Sequence, residues 1–180
     1  FCWPADLNGD GKFDFVIDRQ NYGAVTDEEG SDAVDYASPF VEAYTSEGEF
    51  MWRIKIGTNL KIADGAGDMV TAYDMDGDGF AEVMLVVSEG AVFPNGQQIK
   101  NSDGTVHNYN NSIGSAPQWI AIVNGQTGNL IDKIELARFT ELHNTRTDKW
   151  KNINGRFVIA YLDGINPSLL MLKNTLVCPI

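Results

Sequence analysis

Two strings in this chain nearly repeat each other. DLNGDGKFDFVI begins at Asp6, and DMDGDGFAEVMLVV begins at Asp74. Each packs acids and glycines into a short knot and then turns apolar. Turn-forming residues set against a short apolar run read as a tight turn feeding a strand. A unit that recurs at long spacing reads as a structural repeat. The segment beyond each knot recurs as well. After a polar loop of variable length come a strand, a glycine turn and a strand: FVEAYTSEGEFMWRIKI first, QWIAIVNGQTGNLIDKIEL second. Gly48, and Gly125 or Gly128, offer the positive φ that such hairpins need. A third copy opens within VIAYLDGINPSLLMLKN, where Asp163 and Gly164 remain but Asn166, Pro167 and Ser168 replace the rest of the knot.

The repeat constrains the fold class. Units spanning about 5–70, 71–157 and 158–180, the last incomplete, make one continuous region over residues 1–180. With about four short strands each, they have the pattern of β-propeller blades, which are four-stranded antiparallel sheets set around an axis. No long 3.6-residue periodicity is visible, so the expectation is all-β with few helices. A ring needs at least about four blades. Two blades and the start of a third therefore imply a fragment of a longer propeller (the favoured reading), self-association, or an open stack. The chain starts at Phe1 rather than Met, which fits a processed or truncated start.

The knots carry metal chemistry in their spacing. The first alternates oxygens at Asp6, Asn8, Asp10, the carbonyl of Lys12, and Asp14. The second does so at Asp74, Asp76, Asp78, the carbonyl of Phe80, and Glu82. A calcium loop uses these alternate positions, with glycine sixth for the sharp turn, and Gly11 and Gly79 stand there. Hard oxygens suit Ca2+ rather than a soft metal. An EF-hand is excluded, because its twelfth position needs Glu and here holds Ile17 or Leu85. Metal-free Asx turns are the plainer alternative, but several carboxylates within nine residues repel one another without a cation. The ion's expected role is structural, fixing the turn that leads into the strand. The third knot lacks the ligands and is expected not to bind.

Charge narrows the partners. At −12 net, the chain is a poor ligand for nucleic acid or an anionic membrane. No apolar run reaches the length of a membrane span. Cys2 and Cys178 lie near opposite ends. They are either two buried thiols or a disulfide tying the ends together.

Taken in order, DLNGDGKFDFVI, VEAYTSEGEFMWRIKIGTN, MVTAYDMDGDGFAEVML, APQWIAIVNGQTGNLI and VIAYLDGINPSLLM resemble rhamnogalacturonan lyases of polysaccharide lyase family eleven. The resemblance runs from about Asp6 to Met171 and looks like the N-terminal part of the family's catalytic propeller. It implies a secreted, periplasmic or cell-surface protein that is calcium-dependent. The implied activity is pectin degradation: β-elimination at the rhamnose–galacturonate backbone, with an acidic plant polysaccharide as substrate. The framework pieces match better than the polar ones. Where the family carries Gly-Ala-His-Tyr, this chain reads KIADGAGDMVTAY.

Elimination needs a neutralised uronate carboxylate and a base for the C5 proton. The basic loop at 138–156 offers His143, Lys149, Lys151 and Arg156 as catalytic candidates, and Arg146 and Trp150 as substrate contacts. The bland alternative is exposed charge balancing Glu141 and Asp148. His107 is a further possible contact in a Ser/Gly/Asn-rich surface loop. Trp52 and Trp119 lie in strand patterns and read as core. The competing function is a non-catalytic, calcium-stabilised propeller of the FG-GAP type, binding glycan or protein at a cell surface.

Overall fold

The computed structural model describes residues 2–19, 40–57, 69–107, 117–135 and 155–173. Among them there is no helix. Ten strands run in chain order: β1 (Cys2–Ala5), β2 (Asp14–Asp18), β3 (Phe40–Tyr44), β4 (Phe50–Lys55), β5 (Val70–Tyr73), β6 (Glu82–Ser88), β7 (Gln118–Asn124), β8 (Leu130–Glu135), β9 (Gly155–Ala160) and β10 (Ser168–Lys173). They form two four-stranded sheets, β1-β2-β3-β4 and β5-β6-β7-β8, and a β9-β10 pair. Every pairing is antiparallel. Each four-stranded sheet is a meander, so strands adjacent in sequence are adjacent in space.

The knots lie inside the sheets, between first and second strands. Each sheet therefore takes in a strand upstream of its knot. β1 and β5 are four residues each, too short for apolar alternation to announce them. The turns rest on glycine geometry. Gly48 has φ +86° and Gly128 φ +69°, which resolves the choice between Gly125 and Gly128 as hairpin glycine of the second unit. Gly125 is needed for another reason: a Cβ there would stand 2.0 Å from the carbonyl oxygen of Ala81.

Alternation along the first sheet separates its faces. Val16, Val41, Ala43, Trp52 and Ile54 are buried, and Val16, Ala43 and Trp52 stand opposite one another across three strands. The other face carries Phe15, Tyr44 and Phe50 in the same register. In the second sheet β6 is buried along its whole length, as a strand covered on both faces must be. β5 packs against both β1 and β9. The two four-stranded sheets share one core, which also takes in Leu7, Met69, Phe93 and Ile99.

Specific contacts lock these sheets together. The Trp52 indole N–H donates to the Gly125 carbonyl at 2.6 Å, and the ring lies against Gly128. The Ala81 N–H donates to the Asp6 carbonyl at 2.8 Å, and the Phe80 ring covers Gly9. Lys55 and Val92 exchange both backbone hydrogen bonds. The knots and hairpin turns thus serve as the joints between sheets.

Candidate metal centre

In the first knot, Asp6 Oδ1 accepts from the N–H groups of Gly9 (2.7 Å) and Asp10 (3.2 Å), and Oδ2 accepts from Gly11 (2.8 Å). In the second, Asp74 Oδ1 accepts from Gly77 (2.7 Å) and Asp78 (3.2 Å), and Oδ2 from Gly79 (3.0 Å). The rest of the network repeats as well. Asn8 and Asp76 accept from the N–H two residues on, as do Asp10 and Asp78. Positive-φ glycines at 9, 11, 77 and 79 allow the backbone to wind around each leading carboxylate. Two different sequences therefore build one loop.

Asp74, Asp76 and Asp78 each bring a carboxylate oxygen to within 4.8 Å of the other two. Such a hard-oxygen cluster fits a divalent cation such as calcium. In the first knot Asn8 supplies an amide oxygen in place of the middle carboxylate. The last positions behave differently. Asp14 is fully buried, and accepts from the N–H groups of Leu7 and Ser46, both at 3.1 Å. It ties the knot to the β3–β4 hairpin. Glu82 accepts from the Met75 N–H at 2.9 Å and stands outside the close trio. Burial raises the Glu82 pKa, and the Asp76 and Asp78 charges add to that rise. A cation among these oxygens would oppose both effects.

The side chains of Lys12 and Phe80, expected to contribute only carbonyls, have other work. Lys12 pairs with Glu47 at 2.6 Å and Phe80 packs on Gly9. In the third knot, Asp163 Oδ1 accepts from Ile165 and Asn166, while Asn166 Nδ2 donates to Oδ2. These bonds lower the Asp163 pKa to about 2. This is an Asx turn satisfied from within.

Trp52 and Trp119 are buried, so packing is their role. His143, Arg146, Lys149, Trp150 and Lys151 lie outside the described residues, as does Cys178. Arg156 is exposed on β9, and Cys2 is exposed on β1.

His107 holds a position that its surface-loop sequence does not announce. Its ring sits between Glu89, with Nδ1 at 2.8 Å from Oε1, and Asp103, with Nε2 at 3.1 Å from Oδ2. Its own N–H donates to Glu89 Oε1 at 2.7 Å. Glu89 is buried. The only sequence sign is an acid just after a strand, too common to single out. The hydrogen bond to Glu89, reinforced by the charges of Asp103 and Glu89, raises the His107 pKa above its ordinary 6.5. The folded state therefore gains stability from the imidazolium below about pH 6.5 and loses it as pH rises through the raised value. Exchanging His107→Gln should flatten that part of the melting-temperature profile, and the histidine C–H resonances followed by NMR should titrate late. An unperturbed titration of His107 would contradict this pairing.

The family model of the "Rhamnogalacturonan lyase family 11, C-terminal domain" matches residues 2–176 of this chain. Among curated proteins, the rhamnogalacturonan endolyase YesW of Bacillus subtilis is 29% identical over 175 residues, and the exolyase YesX of the same organism is 27% identical over 171 residues. Both alignments cover 94% of this chain, which spans only 27% of each relative's length. The crystal structure of YesX superposes with a TM-score of 0.70 at 27% identity. A Bacillus licheniformis rhamnogalacturonan lyase structure does so with a TM-score of 0.71 at 26% identity, covering 94% of this chain and 29% of that one. One expectation is corrected: the matching model is that of the C-terminal domain, not the N-terminal part of a propeller. A motif that recurs along a chain does not mark its position in it. The chain belongs to rhamnogalacturonan lyase family 11.

Proposed function

We propose that this chain forms part of a calcium-dependent lyase that cleaves the rhamnose–galacturonate backbone of pectin by β-elimination. The observation that carries this reading is the family match over residues 2–176. In it, the two four-stranded sheets are blades of a propeller. The packing of first strand β5 against both β1 and β9 supports that arrangement. A complete ring would draw on further sheets from a longer protein or on self-association. Asp6, Asn8, Asp10 and Asp14 hold one calcium ion, and Asp74, Asp76, Asp78 and Glu82 the other, with the Lys12 and Phe80 carbonyls as further ligands.

Bound calcium supplies positive charge to loops that are otherwise a concentration of carboxylates. Its part in the knots is to hold the joints between blades. The substrate's carboxylate is met by Arg146 and Arg156, and the C5 proton is taken by His143, Lys149 or Lys151. Secretion, or export to the periplasm or cell surface, places the protein where pectin and millimolar calcium occur. No helix among the described residues is long and apolar enough to cross a membrane.

The non-catalytic, FG-GAP-like propeller is the second reading. It is favoured by the knots' engagement in turns and joints, which makes them scaffold. Incubation with rhamnogalacturonan and calcium decides between the two. The unsaturated uronate made by elimination carries a C4=C5 bond conjugated with its carboxylate, a new ultraviolet chromophore that the intact backbone lacks. The lyase reading expects rising absorbance that chelator abolishes. A flat trace from folded protein at its full natural length, with glycan binding retained, would leave only the second.

A further inference from the structure

β6 starts beside the second knot and ends at Ser88, so Glu89 stands at the far end of the second sheet from that knot. The Glu89 N–H donates to the Pro117 carbonyl at 3.1 Å, next to the Ser88–Gln118 pair that opens β7. β8 finishes at the same end, with Glu135 opposite Trp119. The basic segment at 138–156 follows it in the chain.

This end carries a carboxylate–histidine pair. The Glu89 side chain is fully buried and holds His107 Nδ1 at 2.8 Å, while the His107 side chain is 42% exposed. Nε2 meets the Asp103 carboxylate at 3.1 Å. Asn101 Nδ2 stands 3.2 Å from Nδ1, and Thr105 Oγ1 3.4 Å from Nε2. A buried carboxylate on Nδ1 fixes the ring and stabilises its imidazolium, which leaves the Nε2 proton as the one to give away. Asp103 is 54% exposed, so water can solvate its carboxylate when another oxygen takes its place on Nε2.

Gln118 is an independent sign of a ligand. It is 6% exposed, and among the described residues its Nε2 has no hydrogen-bond partner. An unmet buried donor destabilises the fold, and a ligand oxygen would satisfy it.

We propose that His107 is the proton donor to the oxygen that leaves C4 in the elimination, with Glu89 as its positioning residue and Gln118 Nε2 as a donor to the bound sugar. The base takes the C5 proton, and the C5–H electron pair becomes the C4=C5 bond. The C4–O bond breaks with its electron pair on oxygen, and that oxygen takes the proton from Nε2 to become the hydroxyl of the departing sugar. Water then carries a proton from the base back to the neutral imidazole. This rests on the lyase reading and adds the acid that reading leaves unassigned. The hydrogen bond to Glu89 and the charges of Asp103 and Glu89 keep the imidazolium to higher pH than in an isolated histidine.

The test uses the protein at its full natural length, with calcium, on two substrates. One is rhamnogalacturonan. The other is a galacturonate analogue with a nitrophenyl group on O4, whose phenolate departs without a proton. His107→Gln should slow the first at least about 100-fold and the second less than about fivefold. Glu89→Gln should bring the alkaline fall of kcat/KM on rhamnogalacturonan to lower pH, because it takes away the hydrogen bond that holds the imidazolium. Gln118→Met should raise KM without lowering the melting temperature. A lower melting temperature with unchanged KM would overturn the role of Gln118. Turnover slowed equally on both substrates, or not slowed at all, by His107→Gln would overturn the proposal and leave the lyase reading standing. An alkaline fall that Glu89→Gln does not move would do the same. Unsubstituted protein that binds rhamnogalacturonan but turns over neither substrate would overturn both.

Discussion

Trp52→Ala should cost about 3–5 kcal/mol of folding stability, the range for removing a large buried aromatic side chain. Several losses coincide at this position. The indole is 2% exposed and fills the space over Gly128. Its N–H donates to the Gly125 carbonyl from another sheet. Removing it opens a cavity at the joint and leaves that carbonyl without this donor. Trp52→Phe keeps much of the volume and isolates the hydrogen bond, with an expected cost of about 1–2 kcal/mol. Urea unfolding followed by circular dichroism checks both. A cost below about 1 kcal/mol for Trp52→Ala would mean that the sheets hold together without this joint.

Much of this arrangement was legible in the sequence. Spaced knots, each running into an apolar strand, pointed to the sheet meander and its repeat. The alternation in FVEAYTSEGEFMWRIKI placed Trp52 inward. Other parts were not legible, for physical reasons. β1 and β5 carry four residues each, which is too little period to read. Gly125 is required by close approach to Ala81, a contact between residues 44 positions apart (125 − 81) that no local pattern records. The spacing that marks Asp14 as a ligand position does not show that its carboxylate also accepts from the backbone of Leu7 and Ser46 and ties the knot to the β3–β4 hairpin. The Glu89–His107–Asp103 arrangement depends on how a long loop folds back, and spacing along the chain cannot encode that. The basic loop lies largely outside the described residues, so the catalytic candidates rest on sequence and family alone.

The second large effect concerns the knots. Asp74→Asn removes a carboxylate that accepts three backbone N–H groups and belongs to the trio of close oxygens. With calcium at about 100 times its dissociation constant, one lost site removes about 2.7 kcal/mol of linked stability. In chelator that difference should largely vanish, because the charge removed is then one of several repelling carboxylates. Melting curves with and without calcium give both numbers. A deficit that persists unchanged in chelator would assign Asp74 to turn geometry alone.

The direct test of the knots as calcium sites is a calorimetric titration of chelator-stripped protein with calcium. Two knots with one donor pattern predict two ions bound per chain and a melting temperature that rises with occupancy. No heat of binding, together with a melting temperature that calcium does not move, would contradict calcium sites in both knots.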